Sequence, residues 1–291
     1  MRKKLSVLLI MVMAMVAASG LVFAEDVTIN VWGWDPAFNI FAMEEAAKIY
    51  AETAPNVTIN IVETPWDDVQ TKLTTAVMAG QMGTLPDILL MQDNATTKNI
   101  TNFPGTFADL TDSGIDFSLF ADYKVALGTV DGRVYAVPFD NGTAINAVRV
   151  DLLEEAGYTL ADLTDITWSE YMEIGKDVIA KTNLPMMSTV ADSPDHIMLC
   201  LQSAGVWMFD DNGDVFIADN EALREVIEVY VELVKSGIVI QVNDWEQYIA
   251  TLNRGTVSGT MNGCWIIGPS VGQPEQEGLW GMTNLPRLDR A

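Results

Sequence analysis

Tryptophan set beside carboxylate is the chemistry this chain offers first. Trp34-Asp35 and Trp66-Asp67-Asp68 join an indole to acids, while Trp207 and Trp265 stand where apolar runs break. A flat indole face stacks on the C–H face of a sugar ring, and neighbouring carboxylates and amides accept its hydroxyl hydrogens. The pattern suits a carbohydrate site. Tryptophan is also highly buried on average, so any one of the eight indoles taken alone fits core packing at least as well.

Competing chemistries have less to stand on. His196 is the single histidine, and nothing resembling HExxH, GxSxG or GxxxxGK occurs, which removes zincin, α/β-hydrolase and P-loop mechanisms. Neither a metal nor a cofactor is expected. A glycosidase needs only two carboxylates about 5 to 10 Å apart, and 40 acidic residues leave that open without singling out a pair. Asp195-His196 opens an expected helix and reads either as an N-cap with a surface imidazole or as a ligand contact. The run Asp210-Asp211-Asn212-Gly213-Asp214 resembles a calcium loop only superficially. Its glycine is fourth instead of sixth, so a tight hairpin turn is expected.

The elements that must position these residues follow from periodicity. Residues 27–32 (VTINVW) and 57–62 (VTINIV) alternate as strands, and 88–91 form a short apolar strand after Pro86-Asp87. Between them, 42–53 carries Met43, Ala46, Ala47 and Tyr50 at helical spacing, and 69–79 is helical too. A βαβαβ order implies a parallel sheet flanked by helices, and ligands of open α/β sheets bind outside the carboxyl ends of the strands. Trp34-Asp35, Trp66-Asp67 and Gln92-Asp93-Asn94 each follow one of the three strands, so all fall on one edge.

An Asp131-Gly132 turn pairs two short strands, and 144–150 is extended. Pro138-Phe139-Asp140-Asn141-Gly142 interrupts them, where the chain can change lobes. A second α/β unit follows: helices at 169–181, 196–204, 221–235 and 245–253, strands at 186–190 and 257–261, a hairpin around Asn212-Gly213, and a returning strand at 279–285. In the helix at 221–235, Leu223, Val226, Ile227, Tyr230, Val231 and Val234 form the expected core-facing stripe.

Residues 1–24 begin with Arg2, Lys3 and Lys4, continue as an apolar run, and end Val22-Phe23-Ala24, the pattern of a secretory signal peptide cleaved after Ala24. The only cysteines are Cys200 and Cys264, so none follows the leader to take a lipid. A soluble product in the periplasm or outside the cell is expected. Both cysteines sit in apolar surroundings and read as buried thiols, with a single Cys200–Cys264 bridge as the alternative. The formal net charge is −24, and loss of the three leader cations takes it to −27, which argues against nucleic acid and anionic lipid. The remaining length suits two lobes better than one core.

With the elements in this order, the chain resembles the extracellular solute-binding proteins of ABC sugar importers, the family that includes maltose-binding protein. The resemblance rests on VWGWDP (31–36), LPDILLMQDN (85–94), VDGRVYAVPFDNG (130–142), DLLEEAGY (151–158), TWSEY (167–171), LQSAGVWMFDDNG (201–213) and MNGCWIIG (261–268). It implies two α/β lobes, residues 25–140 and 141–284, with the ligand cleft between them and 285–291 starting a return crossing. It places Trp34, Asp35 and Asp93 at cleft-facing strand ends, Asp140 at the first crossing, and Trp207 and Trp265 on the far wall. By the same token Trp32, Trp168, Trp245 and Trp280 are packing residues. Substrate contacts are thus expected at Trp34, Asp35, Trp66, Asp67, Gln92, Asp93, Asp140, Asp195, Trp207 and Trp265.

The implied partners are a sugar or oligosaccharide and the transmembrane subunits of an ABC permease, with the chain acting as a monomer and not as an enzyme. Two other classes fit the residues less well: an exported polysaccharide-processing enzyme, and a binder of another solute such as a polyamine, held by cation–π contacts in an acidic cleft. The chain departs from the family in having Gly205-Val206 where paired glycines are usual, and in ending soon after LPRLDR. A shortened chain is expected to expose apolar surface where absent helices would pack.

Overall fold

The computed structural model describes residues 25–210, 213–268 and 273–290. Residues 1–24, expected as a leader, and residues 211–212, expected in a hairpin turn, lie outside the described residues. Two compact units emerge: one takes the chain up to Ile115 with Leu127–Ala136, and the other takes Asp116–Ala126 with the chain from Val137.

In the first unit, β1 (Val27–Gly33), α1 (Phe41–Thr53), β2 (Val57–Glu63), α2 (Trp66–Ala79), β3 (Ile88–Leu89) and α3 (Asp93–Asn102) run in the expected βαβαβ order. β1 is the middle strand, parallel to both neighbours, with Gly33 opposite Glu63 and Trp32 opposite Leu89. The carboxyl ends of all three strands therefore meet at one edge. β3 keeps only two residues of the expected four, and the chain leaves the ladder after Leu90 donates to the Trp32 carbonyl at 2.9 Å.

Helix α2 buries Val69, Leu73 and Ala76 at i, i+4 and i+7, as an amphipathic helix should. Helix α1 does not follow suit. Its Met43–Tyr50 spacing is helical, yet it buries no residue, and Ile49 is 68% exposed. After α4 (Asp122–Leu127), the strands β4 (Thr129–Val130) and β5 (Arg133–Val134) form the expected hairpin. Asp131 and Gly132 both take positive φ, 50° and 75°, the twist that a two-residue hairpin turn requires.

The second unit holds β6 (Ala144–Arg149), α5 (Val150–Glu155), α6 (Trp168–Thr182), β7 (Met187–Val190), α7 (Asp195–Ser203), α8 (Glu221–Lys235), β8 (Val239–Val242), α9 (Trp245–Asn253), β9 (Gly259–Gly263) and β10 (Trp280–Thr283). β6 lies between β10 and β9, antiparallel to both, and β7 pairs in parallel with β8. Sequence caps fix the helix starts. Thr167 and Glu170 close a capping box on α6, with the Glu170 carboxylate accepting from Thr167 N at 2.7 Å, and Asn220 and Asp244 cap α8 and α9.

The main core gathers Leu163, Trp168, Tyr171, Met186, Met187, Leu201, Leu233 and Ile238. The stripe of α8 is rotated from the expected one: Leu223, Val226, Val229 and Leu233 are buried, while Ile227 and Val231 face solvent. The reason is Glu225, buried on the same helix because its Oε1 accepts from the backbone of Asp289 at 2.8 Å and of Arg290 at 3.0 Å. A carboxylate can be buried when backbone donors satisfy it. Both thiols are free; Cys200 is buried as expected, but Cys264 is only half-buried.

Candidate functional site

At the carboxyl edge of the first sheet, the turn after β1 is built around Asn39, which the sequence reading missed. Its Oδ1 accepts from Trp34 N at 3.0 Å and Asp35 N at 3.2 Å, and the residue is fully buried. The amide rests against Gly33, where a Cβ would come within 2.8 Å of Oδ1. This clamp leaves the Trp34 indole half-buried. Its ring meets that of Trp66, the first residue of α2, at 5.3 Å and 55°. Sequence placed these two indoles on one edge, and the fold brings them into ring contact.

Their carboxylates differ. Asp35 is buried, accepts from Ala37 N at 2.9 Å and caps the short π-helical turn Pro36–Ile40. Burial raises its pKa, and the backbone bonds at Ala37 and Phe38 only partly offset this. Asp35 thus holds the turn through its carboxylate. Asp67 and Asp93 are exposed in the first turns of α2 and α3, where a helix start favours negative charge. Gln92 flanks α3 half-buried, its carbonyl accepting from Thr96 Oγ1 at 3.0 Å.

The second unit builds its own group at the end of β9. Trp265 follows Gly263 in the 3-10 turn Cys264–Ile266, and its ring folds back so that a Cβ on Gly263 would lie 2.3 Å from Nε1. Only glycine admits that ring. Trp265 meets the Trp245 ring at 5.5 Å and 44°, and Trp245 meets Tyr248 at 4.9 Å and 32°. Tyr248 is buried, its hydroxyl bonded to Thr260 and accepting from Asn262 Nδ2 at 3.0 Å. Burial raises the Tyr248 pKa, the bonds with Asn262 and Thr260 oppose it, and the Asp195 charge adds the smallest contribution. Asp195 itself is exposed in the first turn of α7.

The remaining expected residues fare differently. Trp207 is half-buried against the main core, its carbonyl accepting from Asn220 Nδ2 at 2.9 Å, so packing claims much of its surface. Asp140 pairs with Lys124 at 3.2 Å, beside a groove of about 190 Å³ lined by Phe120, Pro138 and Phe139. Lys124 was not anticipated. The cap of α7 falls on Pro194, not on Asp195, and His196 is not a surface imidazole. It is buried between the rings of Trp168 and Tyr230, at 5.6 and 5.4 Å, with Nε2 3.7 Å from Cys200 Sγ. Burial pushes the imidazole down to about 4 and the thiol up to about 12.

Trp245 and Asn262 join the aromatic group of Trp265 although neither was among the expected contacts. Yet Asp244-Trp245-Glu246 satisfies the criterion that singled out Trp34 and Trp66, an indole beside carboxylates. Trp168 is buried as expected, and Trp280 is half-buried with Nε1 donating to Gln276 at 3.1 Å. Among the described residues no group of three His, Cys, Asp or Glu is placed to hold a metal, and no helix is long and apolar enough to cross a membrane.

Comparison with known proteins gives one consistent answer. Residues 45–286 match the family model of bacterial extracellular solute-binding proteins. The lactose-binding protein of Rhizobium radiobacter is 42% identical over 267 residues, covering 92% of this chain and 63% of that protein. Of solved structures, the GacH receptor of Streptomyces glaucescens GLA.O, studied unliganded and with acarbose, superposes with a TM-score of 0.78 at 20% identity over 91% of this chain and 68% of that one. A binding protein associated with an ABC transporter of B. animalis subsp. lactis Bl-04, in complex with β-1,6-galactobiose, gives 0.74 at 22% identity over 89% and 63%. The chain thus spans less than two thirds of the curated relative it matches at 42% identity. On the family match, which takes in most of its length, the chain belongs to the bacterial extracellular solute-binding proteins.

Proposed function

We propose that this protein captures a carbohydrate outside the cytoplasmic membrane and delivers it to an ABC permease, without chemistry on the ligand. The observation that carries this reading is the Trp34–Trp66 indole pair, held at 5.3 Å on the carboxyl edge of a parallel sheet with Asp67, Gln92 and Asp93 around that edge. Indoles supply apolar faces for sugar C–H groups, and the exposed carboxylates and amide accept hydroxyl hydrogens. In the second unit Trp265 supplies a further indole face, and Asp195 is an exposed carboxylate in the first turn of α7. Asp35 and Asp140 act as positioning residues, the first through its turn and the second through Lys124. Trp207 contributes an edge at most.

Lactose, acarbose and β-1,6-galactobiose in the relatives' names support an oligosaccharide as the ligand class. In this reading the leader at 1–24 directs export, no cysteine stands at its end to take a lipid, and the chain works as a soluble monomer. Its acidity keeps nucleic acid out of the partner set. Intrinsic tryptophan fluorescence should saturate with lactose or a related oligosaccharide and stay unchanged with amino acids, polyamines or divalent metals. A flat response of the folded chain across a panel of sugars contradicts the proposal.

A further inference from the structure

We propose that Asn141 is a self-modification site, converted to aspartate and isoaspartate by attack of the Gly142 backbone nitrogen on the Asn141 side-chain carbonyl carbon, with the Tyr123 hydroxyl promoting the step. The inference goes beyond the carbohydrate reading and does not depend on it. Asparagine precedes glycine at Asn141, Asn212 and Asn262, and Asn212 lies outside the described residues. The other two share one reactive dipeptide in opposite surroundings.

Asn262 is protected by its strand. With Gly263 it closes β9, paired with Ile145 and Ala144 of β6, which holds the backbone extended. Its Nδ2 donates to the Tyr248 hydroxyl at 3.0 Å, and its Oδ1 accepts from Gly263 N at 2.8 Å. Attack needs the nitrogen poised over the carbonyl carbon at about 3–3.5 Å. Here that nitrogen points its hydrogen at the amide oxygen, and the ladder and the tyrosine bond resist the rotation that attack requires.

Asn141 has neither restraint. Residues 135–143 lie outside any helix or strand, Asn141 and Gly142 are both exposed, and the Gly142 N–H makes no hydrogen bond among the described residues. Glycine also leaves the attacking nitrogen without a neighbouring Cβ and frees the backbone to turn. The Asn141 Oδ1 accepts from the Tyr123 hydroxyl. A donor on that oxygen stabilises the charge that develops on it as the nitrogen attacks.

In the step itself, Gly142 N loses its proton to solvent and bonds to Asn141 Cγ, the Cγ–Nδ2 bond breaks, and Nδ2 takes up a proton and leaves as ammonia. Water then opens the cyclic imide at either carbonyl, which gives aspartate or an isoaspartate whose main chain is one carbon longer. Either product sets a new carboxylate next to Asp140, whose ion-pair partner Lys124 lies at 3.2 Å with its side chain only 8% exposed. Two acids then compete for one enclosed lysine.

The test is incubation of the full chain in mildly alkaline H₂¹⁸O, followed by peptide mapping by tandem mass spectrometry and enzymatic methylation of isoaspartate. Residue 141 should take up ¹⁸O about tenfold or more faster than residue 262 and yield both products. Gly142→Ala should slow this about tenfold, and Tyr123→Phe severalfold. A Cβ at Gly142 would meet only Cys264 Sγ at 3.5 Å and Trp265 Cδ1 at 3.9 Å, so that variant should keep its thermal midpoint. The proposal is overturned if residue 141 labels no faster than residue 262, if Gly142→Ala leaves the rate unchanged, or if Tyr123→Phe fails to lower it. None of these readouts involves a sugar, so their failure is distinct from failure of the carbohydrate reading.

Discussion

The two units carry similar aromatic pairs on very different scaffolds. Trp34–Trp66 and Trp245–Trp265 have ring spacings of 5.3 and 5.5 Å and tilts of 55° and 44°. Beneath the first pair, the buried apolar residues are Val31, Val69, Leu73, Ala76, Ala95 and Ile100, with α1 contributing nothing. The second pair sits on a small cluster of Tyr248, Leu252, Val257 and Ile266, in a unit whose separate main core includes fully buried Trp168, Tyr171, Met186, Met187 and Leu233. Apolar burial scales with area removed from water, so the second unit carries most of the stabilisation. Pair geometry is therefore set locally, by the Asn39 clamp in one unit and by Gly263 with Tyr248 in the other, and not by the size of the core below.

Substitutions should sharpen this contrast or break it. Trp168→Ala empties the centre of the large core and should cost about 3–5 kcal/mol in chemical unfolding, whereas Tyr50→Ala on the exposed face of α1 should stay within about 0.5 kcal/mol. Equal costs would mean that the units are not unequal in packing.

The large core should also carry an acid sensitivity that the small one lacks. Burial lowers His196 from its ordinary 6.5 to about 4, so the folded state holds it neutral while the unfolded chain protonates it. That contribution is complete above pH 6.5, declines as pH falls from 6.5 to about 4, and has gone below. Roughly 3 kcal/mol is at stake. In His196→Phe the unfolding free energy should lose this slope; an unchanged slope places the acid sensitivity elsewhere.

Gly263→Ala tests local control directly. A Cβ there would meet the Trp265 indole at 2.3 Å, so the ring must swing away, and sugar affinity should fall about tenfold with a thermal midpoint only a few degrees lower. Gly33→Ala should act in the same way on the first pair through Asn39. The smallest effect is expected for Lys72→Met, because the Lys72–Asp68 pair at 3.4 Å lies half exposed to solvent. Unfolding free energy should change by no more than about 0.5 kcal/mol.

The sequence makes the strand-end placement of Trp34, Trp66 and Asp93 legible because period-two alternation and chain order together dictate a parallel sheet. The helices at 221–235 and 245–253 match α8 and α9 because Asn220 and Asp244 cap them. What stays hidden depends on contacts distant in sequence. The α8 stripe rotates because residues 289 and 290 reach back to Glu225, and the apolar spacing of α1 does not reveal that its face lies open. Asp140 is paired by a lysine sixteen positions earlier, and His196 disappears between rings contributed by α6 and α8. The Asp244-Trp245 dipeptide was visible throughout; its contact with Trp265 was not.

The central claim is that indoles at strand and helix ends, and not the buried ones, recognise sugar. Calorimetric titration of lactose into the full chain and into Trp34→Ala, Trp265→Ala and Trp168→Phe tests it most directly. Each of the first two should lose about tenfold or more in affinity, and Trp168→Phe should bind near-normally once folding is verified. Unchanged affinity in Trp34→Ala and Trp265→Ala would contradict it.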